Sequence, residues 1–254
     1  MTIHMKDVSK RYTLPKGKEL LVLEGIDLEI RHGDFVIILG QSGCGKSTLL
    51  NLLAGFQFPS TGNILINNKP ICGPDPSIAF LFQRPSLLPW LTVEENVAFG
   101  CKIRGDTHKL AYRVTQFIEM VGLSGFEKVH PPKLSVGMAY RVSLARALIG
   151  HPQIFLLDEP LVSLDTFMRN RLQEELINIW LSEYFTAIFV THDIDEAVLL
   201  GTKVVVLGGR PSRIRGIFDI QLPYPRKPTD ESFFHTRTSL LKELKASFIE
   251  NHFI

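Results

Sequence analysis

The sequence predicts an α/β protein with a mainly parallel β-sheet and flanking helices, an antiparallel β flank and an inserted helical subdomain. Over most of the chain, short apolar runs alternate with helix-like stretches, which is typical of a parallel sheet covered by helices. Two N-terminal runs instead alternate apolar and polar residues with a period of two, which indicates antiparallel strands. Between residues 84 and 150 helical patterns replace the strand patterns, and these residues form the predicted subdomain.

Continuous apolar runs predict the buried strands of the sheet. The four runs are GDFVIILG (33–40), QIFLLD (153–158), TAIFVTH (186–192) and KVVVLG (203–208). The antiparallel flank comprises TIHMKDVSKRY (2–12) and LLVLEGIDLEI (20–30), and two further short strands are GNILIN (62–67) and IAFLFQ (78–83). The carboxyl ends of the parallel strands are where ligands bind in such sheets.

Helical spacing of apolar residues predicts the other elements. KSTLLNLLAG follows the first buried strand, and the subdomain contains TVEENVAFG, KLAYRVTQFIEMVGL and VGMAYRVSLARALIG. We therefore expect a single domain, 1–254, with a core of 1–83 and 151–220, a helical subdomain of 84–150 and a helical tail of 221–254. The tail is amphipathic, and we expect it to pack against the main domain.

Composition excludes several classes of function. The chain has 254 residues, 45% of them hydrophobic, and a net charge of +2, which does not favour a nucleic-acid partner. Its three cysteines are widely spaced, so the sequence predicts neither a metal cluster nor a disulfide framework, and the thiols fit a reducing cytoplasm. We expect no signal peptide and no membrane span, so any membrane role is peripheral and acts through a partner.

A glycine-rich segment connects the first buried strand to the first helix. It reads GQSGCGKST (40–48) and matches the pattern G-x-x-x-x-G-K-[ST]. Glycines let backbone N–H groups approach phosphate oxygens, and the following helix adds its own N–H groups and its positive dipole end. Lys46 would supply charge to the β- and γ-phosphates, Ser47 would coordinate Mg²⁺, and Thr48 would bond the α-phosphate. The predicted ATP-binding residues of this loop are Gly40, Gln41, Ser42, Gly43, Cys44, Gly45, Lys46, Ser47 and Thr48.

Two adjacent carboxylates follow a second buried strand, in IFLLDEP (154–160). Asp158 is placed to hold Mg²⁺ through water, and Glu159 to polarise the attacking water as a general base. Adjacent acids after a strand are often only solvated loop residues. Together with the phosphate loop, however, they predict a site of ATP hydrolysis.

Further motifs run in the order found in one family. FLFQRPSLLPWLTVEENVAFG resembles a Q-loop with Gln83 as its glutamine, SLD (163–165) resembles a D-loop that ends in Asp165, and VTHDIDEA contains a switch histidine, His192. Tyr12 matches the aromatic residue that stacks on adenine. With the phosphate loop and LLDEP, these motifs make the chain resemble the nucleotide-binding subunit of an ABC transporter, and the similarity covers nearly the whole chain.

The resemblance implies a P-loop NTPase core, RecA-like in its sheet, that hydrolyses ATP with Mg²⁺ to drive transport. It also implies a head-to-tail dimer, expected to be a homodimer, in which each ATP lies between one subunit's P-loop and the other's signature motif. Gln83 would sense Mg²⁺ and the attacking water, and His192 would contact the γ-phosphate and hold the transition-state geometry. Binding of ATP would close the dimer, and hydrolysis would release it.

The resemblance further implies that the chain binds a membrane permease and lies at the cytoplasmic face of the bacterial inner membrane. It implies a periplasmic or extracellular solute-binding protein as an indirect partner. A groove near the Q-loop would receive a helix of the permease, and LLPWL (87–91) would line it, although packing within the subdomain is an equal alternative for Trp90. LLPWLTVEENVAFG, THDIDEAVLLGTKVVVLGGRPSRI and PYPRKP are similar to the importer group for nitrate, sulfonates and taurine. Another small solute, such as a pyrimidine precursor, is the alternative.

The signature motif departs from the family pattern L-S-G-G-[Q or M]. Ser135, Gly137 and Met138 match it, but Val136 replaces a glycine, and Ala139-Tyr140 replaces a polar pair. We expect Ser135 to cap a helix that begins at Val136, because the helical φ is open to valine. The valine would take space beside the γ-phosphate, and we therefore expect a functional but weakened contact with the partner subunit's ATP.

Two other classes of function remain as alternatives. A soluble ABC-type ATPase acting on DNA or ribosomes typically has a long coiled-coil insertion or two nucleotide domains, whereas this sequence has one motif set and no sustained heptads. A regulatory nucleotide-binding subunit that hydrolyses ATP poorly is the second alternative, because of Val136.

Overall fold

The computed structural model describes residues 1–162 and 164–249. Ser163, in the predicted D-loop, and the last five residues of the predicted tail lie outside the described residues. The chain divides into two compact units, one built from 1–75 and 186–254 and the other from 76–185. The strands of the first unit are β1 (Thr2–Thr13), β2 (Glu19–Arg31), β3 (Phe35–Leu39), β4 (Thr61–Ile66), β5 (Lys69–Pro70), β8 (Thr186–Thr191), β9 (Lys203–Gly209) and β10 (Ser212–Asp219). Its helices are α1 (Lys46–Leu53), α6 (Ile194–Leu200) and α7 (Glu231–Ile249).

The strand order in the first unit is β5-β4-β1-β2-β10-β9-β3-β8. β3 pairs in parallel with both β8 and β9, whereas β1 pairs in antiparallel fashion with β2 and β4. All five residues of β3 are fully buried, as expected for a strand covered on both faces. β1 and β2 mix buried and exposed positions, because only one face of this flank packs on the core. The parallel core and its antiparallel flank are therefore confirmed.

Over its described residues, 76–162 and 164–185, the second unit contains two strands, four α-helices and a short 3-10 helix at Pro131–Lys133. Its strands β6 (Ile78–Leu81) and β7 (Ile154–Asp158) pair in parallel. Its helices are α2 (Val93–Ile103), α3 (Leu110–Met120), α4 (Val136–Leu148) and α5 (Thr166–Glu183). Thr92 and Glu95 form a reciprocal capping box that begins α2. The helices α2, α3 and α4 pack against one another within 84–150, but the predicted subdomain boundaries stay a prediction.

The C-terminal segment returns to the first unit after β10. Its helix α7 packs against α6, β9 and β10, and its residues Phe233, Leu240 and Leu244 are buried. The sequence patterns did not predict α5, α6 or β10. Polar and apolar residues are mixed around α5, and α6 is only seven residues long, so neither has the clear periodicity of α2 or α3.

Candidate functional site

The loop between β3 and α1 has the backbone geometry of a phosphate cradle. Gly43 and Gly45 have φ values of 79° and 95°, a region that side chains other than glycine rarely adopt. A Cβ atom on Gly40 would lie 2.7 Å from the carbonyl oxygen of Leu207 and 2.8 Å from the Cys44 sulfur. The loop therefore requires glycine at 43 and 45 because of the backbone conformation, and at 40 because a side chain would have no space.

Lys46 is the first residue of α1 and is held over this loop. Its side chain is almost fully buried, with the residue only 3% exposed. The Nζ atom donates hydrogen bonds to the carbonyl oxygens of Gly40 (3.0 Å) and Gln41 (2.9 Å). The N-cap residue, Gly45, has no side chain that could bond the first N–H groups of the helix. A positive charge and a helix N-terminus therefore meet at one loop, which suits an anion.

Tyr12 lies beside the start of α1 and is half-buried. Its hydroxyl donates to the Gln57 side chain at 2.5 Å and lies 3.5 Å from the Thr48 hydroxyl. The ammonium of Lys10 lies 5.2 Å from the centre of the Tyr12 ring, close enough for a cation–π interaction. The structure thus places the predicted adenine-stacking residue next to the last residue of the phosphate loop.

His192 follows β8, the parallel neighbour of β3. Leu39 is paired with Thr191 in the sheet, and the Gly40 N–H donates to the Thr191 carbonyl oxygen at 3.4 Å. The phosphate loop and His192 therefore leave the sheet at the same edge, because both follow the carboxyl ends of adjacent parallel strands. The His192 side chain is exposed. The first unit thus brings together Tyr12, the loop 40–48 and His192.

Asp158 and Glu159 occupy the corresponding edge of the second unit. Leu81 of β6 is paired with Leu157 of β7. Asp158 is the last residue of β7, and Glu159 and Gln83 follow the carboxyl ends of these neighbouring strands. Glu159 has a φ of 44°, in the left-handed region. Strained backbone of this kind costs about 1–3 kcal/mol and is concentrated at functional sites.

The signature segment begins α4 as the sequence predicts. Ser135 is the N-cap, and its hydroxyl accepts a hydrogen bond from the Met138 N–H at 3.2 Å. Val136 is the first helical residue, its φ lies outside the positive range, and it is 55% exposed. The valine therefore causes no backbone strain, and its side chain projects toward solvent.

The start of α5 lies against the start of α4. Asp165 caps α5 by accepting a hydrogen bond from the Met168 N–H at 3.1 Å. A Cβ atom added to Gly137 would lie 2.5 Å from the terminal methyl of Met168. The predicted D-loop aspartate thus has a structural role as a helix cap, and its helix contacts the signature glycine.

Two residues of α4 that sequence reasoning did not assign to the site contact the segment after β6. The buried Tyr140 hydroxyl donates to the backbone carbonyl of Gln83, and burial raises the pKa of Tyr140 to about 12. Arg146 donates to the carbonyl oxygen of Ser86 at 2.9 Å and to its hydroxyl at 3.1 Å, while burial lowers its pKa. The sequence marks Tyr140 only as part of a departure from the family's polar pair, and it does not indicate the contact with Gln83.

The predicted Mg²⁺ ligands are Ser47, Gln83 and Asp158, which offer a hydroxyl, an amide and a carboxylate. These hard oxygen donors suit Mg²⁺, which typically takes one or two protein ligands and completes its shell with phosphates and water. Over residues 1–162 and 164–249 there is no cluster of three or more His, Cys, Asp or Glu side chains that could hold a metal by themselves. The predicted ligands thus match Mg²⁺ by the chemistry of their donor atoms, and their assembly into one site stays a prediction.

The parallel sheet and the glycine-rich loop at its edge define the class of P-loop nucleotide-binding proteins. The model of one family, described as "ABC transporter", matches residues 23–162 of the chain. The chain belongs to this family. Within the part of the chain that the structure describes, no helix combines the length and the apolar content that crossing a membrane requires.

Two relatives named as ATP-binding proteins match nearly the whole of this chain. The chain is 43% identical over 245 residues to the aliphatic sulfonates import ATP-binding protein SsuB of a Bacillus cereus strain, covering 96% of each chain. The bicarbonate transport ATP-binding protein CmpC of Synechococcus elongatus is 42% identical over 246 residues, covering 95% of this chain and 37% of CmpC.

Solved structures of ATP-binding cassettes have the same fold. One is a dimeric post-hydrolysis state of the cassette MJ0796 bound to ADP and Pi, with a TM-score of 0.76 at 28% identity, covering 87% of this chain and 100% of that chain. The predicted P-loop NTPase fold and the predicted family are therefore confirmed.

Proposed function

We propose that the chain is the ATP-binding and ATP-hydrolysing subunit of an importer, and that it drives solute uptake through a membrane permease. The observation that carries this proposal is the loop 40–48, where the Lys46 ammonium and the N-terminus of α1 converge. The relative SsuB, which is named as an import ATP-binding protein and is matched over 96% of its length, supports the direction of transport. ATP and Mg²⁺ are the cofactors that this function requires.

The second step of the proposal is the hydrolysis of ATP. Lys46 and the loop amides bind the β- and γ-phosphates, Glu159 polarises the attacking water, and His192 contacts the γ-phosphate. Mg²⁺, when bound, neutralises phosphate charge, and Ser47, Asp158 and Gln83 would hold it. His192 is exposed and follows the strand next to the one that leads into the phosphate loop, and this position supports its assignment.

The functional form is a head-to-tail dimer with a second nucleotide-binding subunit. The dimeric cassette structures support this proposal. The signature residues Ser135, Val136, Gly137 and Met138 would contact the ATP held by the partner's P-loop. A homodimer is the simplest arrangement, and pairing with a different subunit would instead confine the effect of Val136 to one of the two ATP sites.

The permease would dock on the second unit, near the segment that follows β6. Trp90 is 69% exposed, which supports a role in docking over the alternative of packing within the subdomain. The subunit would therefore lie peripherally on the cytoplasmic face of the bacterial inner membrane. A periplasmic or extracellular solute-binding protein would act on the permease from the other side.

The solute is a small anion, and we propose an aliphatic sulfonate. The relatives SsuB and CmpC, at 43% and 42% identity, are named for aliphatic sulfonates and bicarbonate, both of which are anionic. Reconstitution with the cognate permease and binding protein in liposomes tests the proposal, with sulfonates, taurine, nitrate, bicarbonate and pyrimidine precursors as competitors. ATP-dependent uptake of a solute other than a sulfonate would replace this assignment.

The enzymatic assignment is tested by Glu159→Gln. We expect steady-state ATPase activity to fall at least about 100-fold, which is the lower range of a general-base contribution. The exposed Glu174, on α5 of the same unit, provides a matched control, and Glu174→Gln is expected to retain full activity. If Glu159→Gln keeps the wild-type rate, the assignment of Glu159 as the general base is wrong. A wild-type rate that stays low with the permease present would instead favour the weakly hydrolysing regulatory subunit, the second candidate raised by Val136.

A further inference from the structure

The helix α6 begins two residues after His192, and its first turn is hydrogen-bonded to the residues on either side of this histidine. Asp193 caps α6 by accepting hydrogen bonds from the N–H groups of Asp195 (2.8 Å) and Glu196 (3.4 Å). The buried Glu196 carboxylate accepts a 2.6 Å hydrogen bond from the Thr191 hydroxyl. His192 is therefore flanked on both sides by residues tied to the first turn of α6, and a shift of this helix would move the histidine.

The other end of α6 is held by the segment after β10. A helix leaves its last carbonyl oxygens without partners inside the helix. Arg226 donates from Nη1 to the carbonyl oxygens of Val198 (2.6 Å) and Gly201 (2.6 Å), with a longer bond to that of Leu199 (3.5 Å). The Tyr224 hydroxyl donates to the remaining one, that of Leu200, at 2.6 Å.

The two side chains that bond these carbonyl oxygens are themselves fixed. The Arg226 guanidinium lies 4.1 Å from the centre of the Tyr224 ring, and its Nε donates to the carbonyl oxygen of Leu222 at 3.0 Å. The arginine is 8% exposed, and its charge is favourable at a helix C-terminus because of the helix dipole. Burial raises the pKa of Tyr224 to about 12, so its hydroxyl stays a donor at neutral pH.

A third contact from the same segment reaches the N-terminal end of α6. Arg237, on α7, donates from Nε to the Asp195 carboxylate at 2.5 Å. Residues of 222–237 therefore contact both the first turn and the last turn of the helix that follows His192. This arrangement lies wholly within the first unit.

We propose that Tyr224 and Arg226, with Arg237, are positioning residues for ATP hydrolysis that act through His192. They fix α6 and thereby keep the His192 side chain aligned with the γ-phosphate, because small misplacements of a catalytic group lower the rate strongly. The inference rests on the proposed function, and it gives the C-terminal segment a part in the chemistry.

A double-mutant cycle with His192→Ala tests the inference. Arg226→Lys keeps the charge but loses the planar fork that reaches several carbonyl oxygens. We expect kcat of the full chain to fall about 10-fold, with KM for ATP changed less than about 2-fold. In the His192→Ala background, radiolabelled phosphate release is expected to show no further loss beyond about 2-fold, because the group being positioned is already absent.

Two further variants separate positioning from a loss of folding. Arg213→Lys is the matched control, since this exposed arginine of β10 pairs with Glu24 on the surface, and it should keep full activity. Tyr224→Phe removes one hydrogen bond to α6 and should lower kcat about 3-fold while thermal unfolding stays cooperative. The same non-additivity with His192→Ala is expected for Tyr224→Phe.

The outcomes distinguish the inference from the function on which it rests. If His192→Ala lowers the rate but Arg226→Lys either has no effect or causes an equal loss in both backgrounds, the inference is wrong and the proposed function stands. If His192→Ala hydrolyses ATP at the wild-type rate, the proposed role of His192 fails and the inference is overturned with it.

Discussion

The helices α1 and α4 are both proposed to point their N-termini at ATP phosphates, yet their first turns differ. α1 follows a glycine in the left-handed region, and its first residue, Lys46, carries a positive charge. α4 is capped by the Ser135 side chain, which occupies the Met138 N–H, and it begins with the uncharged Val136. The first site is therefore preorganised to hold an anion, whereas the second must exchange an internal hydrogen bond for the phosphate of another subunit.

The largest expected effect lies at α1. Lys46→Ala should weaken ATP binding about 100-fold, since it removes a charge-assisted contact from a buried site. Isothermal titration of the purified chain with ATP measures it. Lys69→Ala, at an exposed lysine of the same unit, should leave the affinity unchanged. Equal ATP affinities for Lys46→Ala and the wild type would show that the charge of Lys46 does not distinguish the anion site at α1 from the start of α4.

The second prediction compares glycines at the two helix starts. Gly45→Ala should destabilise the protein by about 1–3 kcal/mol, because φ is 95° and the new Cβ would lie 2.9 Å from Val22. Gly137→Ala should cost less than about 1 kcal/mol, since its φ is helical and its close contact is with the flexible end of Met168. Denaturant unfolding measures both free energies.

Gly43→Ala separates the two causes of strain at the first helix start. This glycine has a φ of 79°, but nothing lies within 4 Å of a Cβ placed there. Its loss of stability should therefore lie between those of Gly45→Ala and Gly137→Ala. If Gly43→Ala lowers the free energy of unfolding as much as Gly45→Ala does, the backbone conformation accounts for the whole effect and the contact with Val22 adds nothing.

The third prediction removes the cap of α4. Ser135→Ala should lower the free energy of unfolding by about 1 kcal/mol and the melting temperature by about 2–4 °C. Differential scanning calorimetry measures this change. Ser135→Asp, which retains a capping side chain, should restore most of the stability. An unchanged melting temperature for the alanine variant would show that the hydroxyl does not stabilise the helix.

The smallest expected effect is that of Val136→Gly. Because the valine side chain is exposed, its replacement by glycine should act on stability mainly through helix propensity. The free energy of unfolding should therefore fall by only about 0.5 kcal/mol. ATP turnover of the assembled transporter should nevertheless rise about 2- to 5-fold, because space is restored beside the phosphate of the partner-bound ATP. Val162→Gly, at another partly exposed valine of the same unit, serves as the control. Unchanged turnover would refute the interpretation of Val136 as a weakening residue.

The sequence predicted those parts of the fold that follow from local patterns. β3, β7, β8 and β9 are continuous apolar runs, and α4 begins at the predicted residue because Ser135 is a cap and Val136 accepts a helical φ. The phosphate loop was found because its pattern joins a strand to a helix. The roles of its individual side chains in binding ATP stay predictions, as do those of Gln83, Asp158 and Glu159.

Other parts depend on contacts between distant residues, which a sequence pattern does not reveal. The left-handed φ of Glu159 is imposed on a residue type that does not favour it, so no residue preference pointed to it. Arg226 contacts carbonyl oxygens 25 to 28 residues away in the chain, and carbonyl groups carry no signature in the sequence. The Tyr140 hydroxyl also bonds a backbone carbonyl, that of Gln83, 57 residues away, and the sequence does not predict this contact for the same reason.

The way that the C-terminal segment completes α6 also bears on how the chain folds during synthesis. The second unit is continuous, 76–185, and its residues leave the ribosome well before those of the C-terminal segment. The first unit combines 1–75 with 186–254, and the last turn of α6 has its hydrogen-bond partners only when Arg226 has emerged. β3 likewise has its parallel neighbours β8 and β9 only when residues 186–209 have been translated. The phosphate loop that follows β3 is therefore translated early but reaches its final environment late.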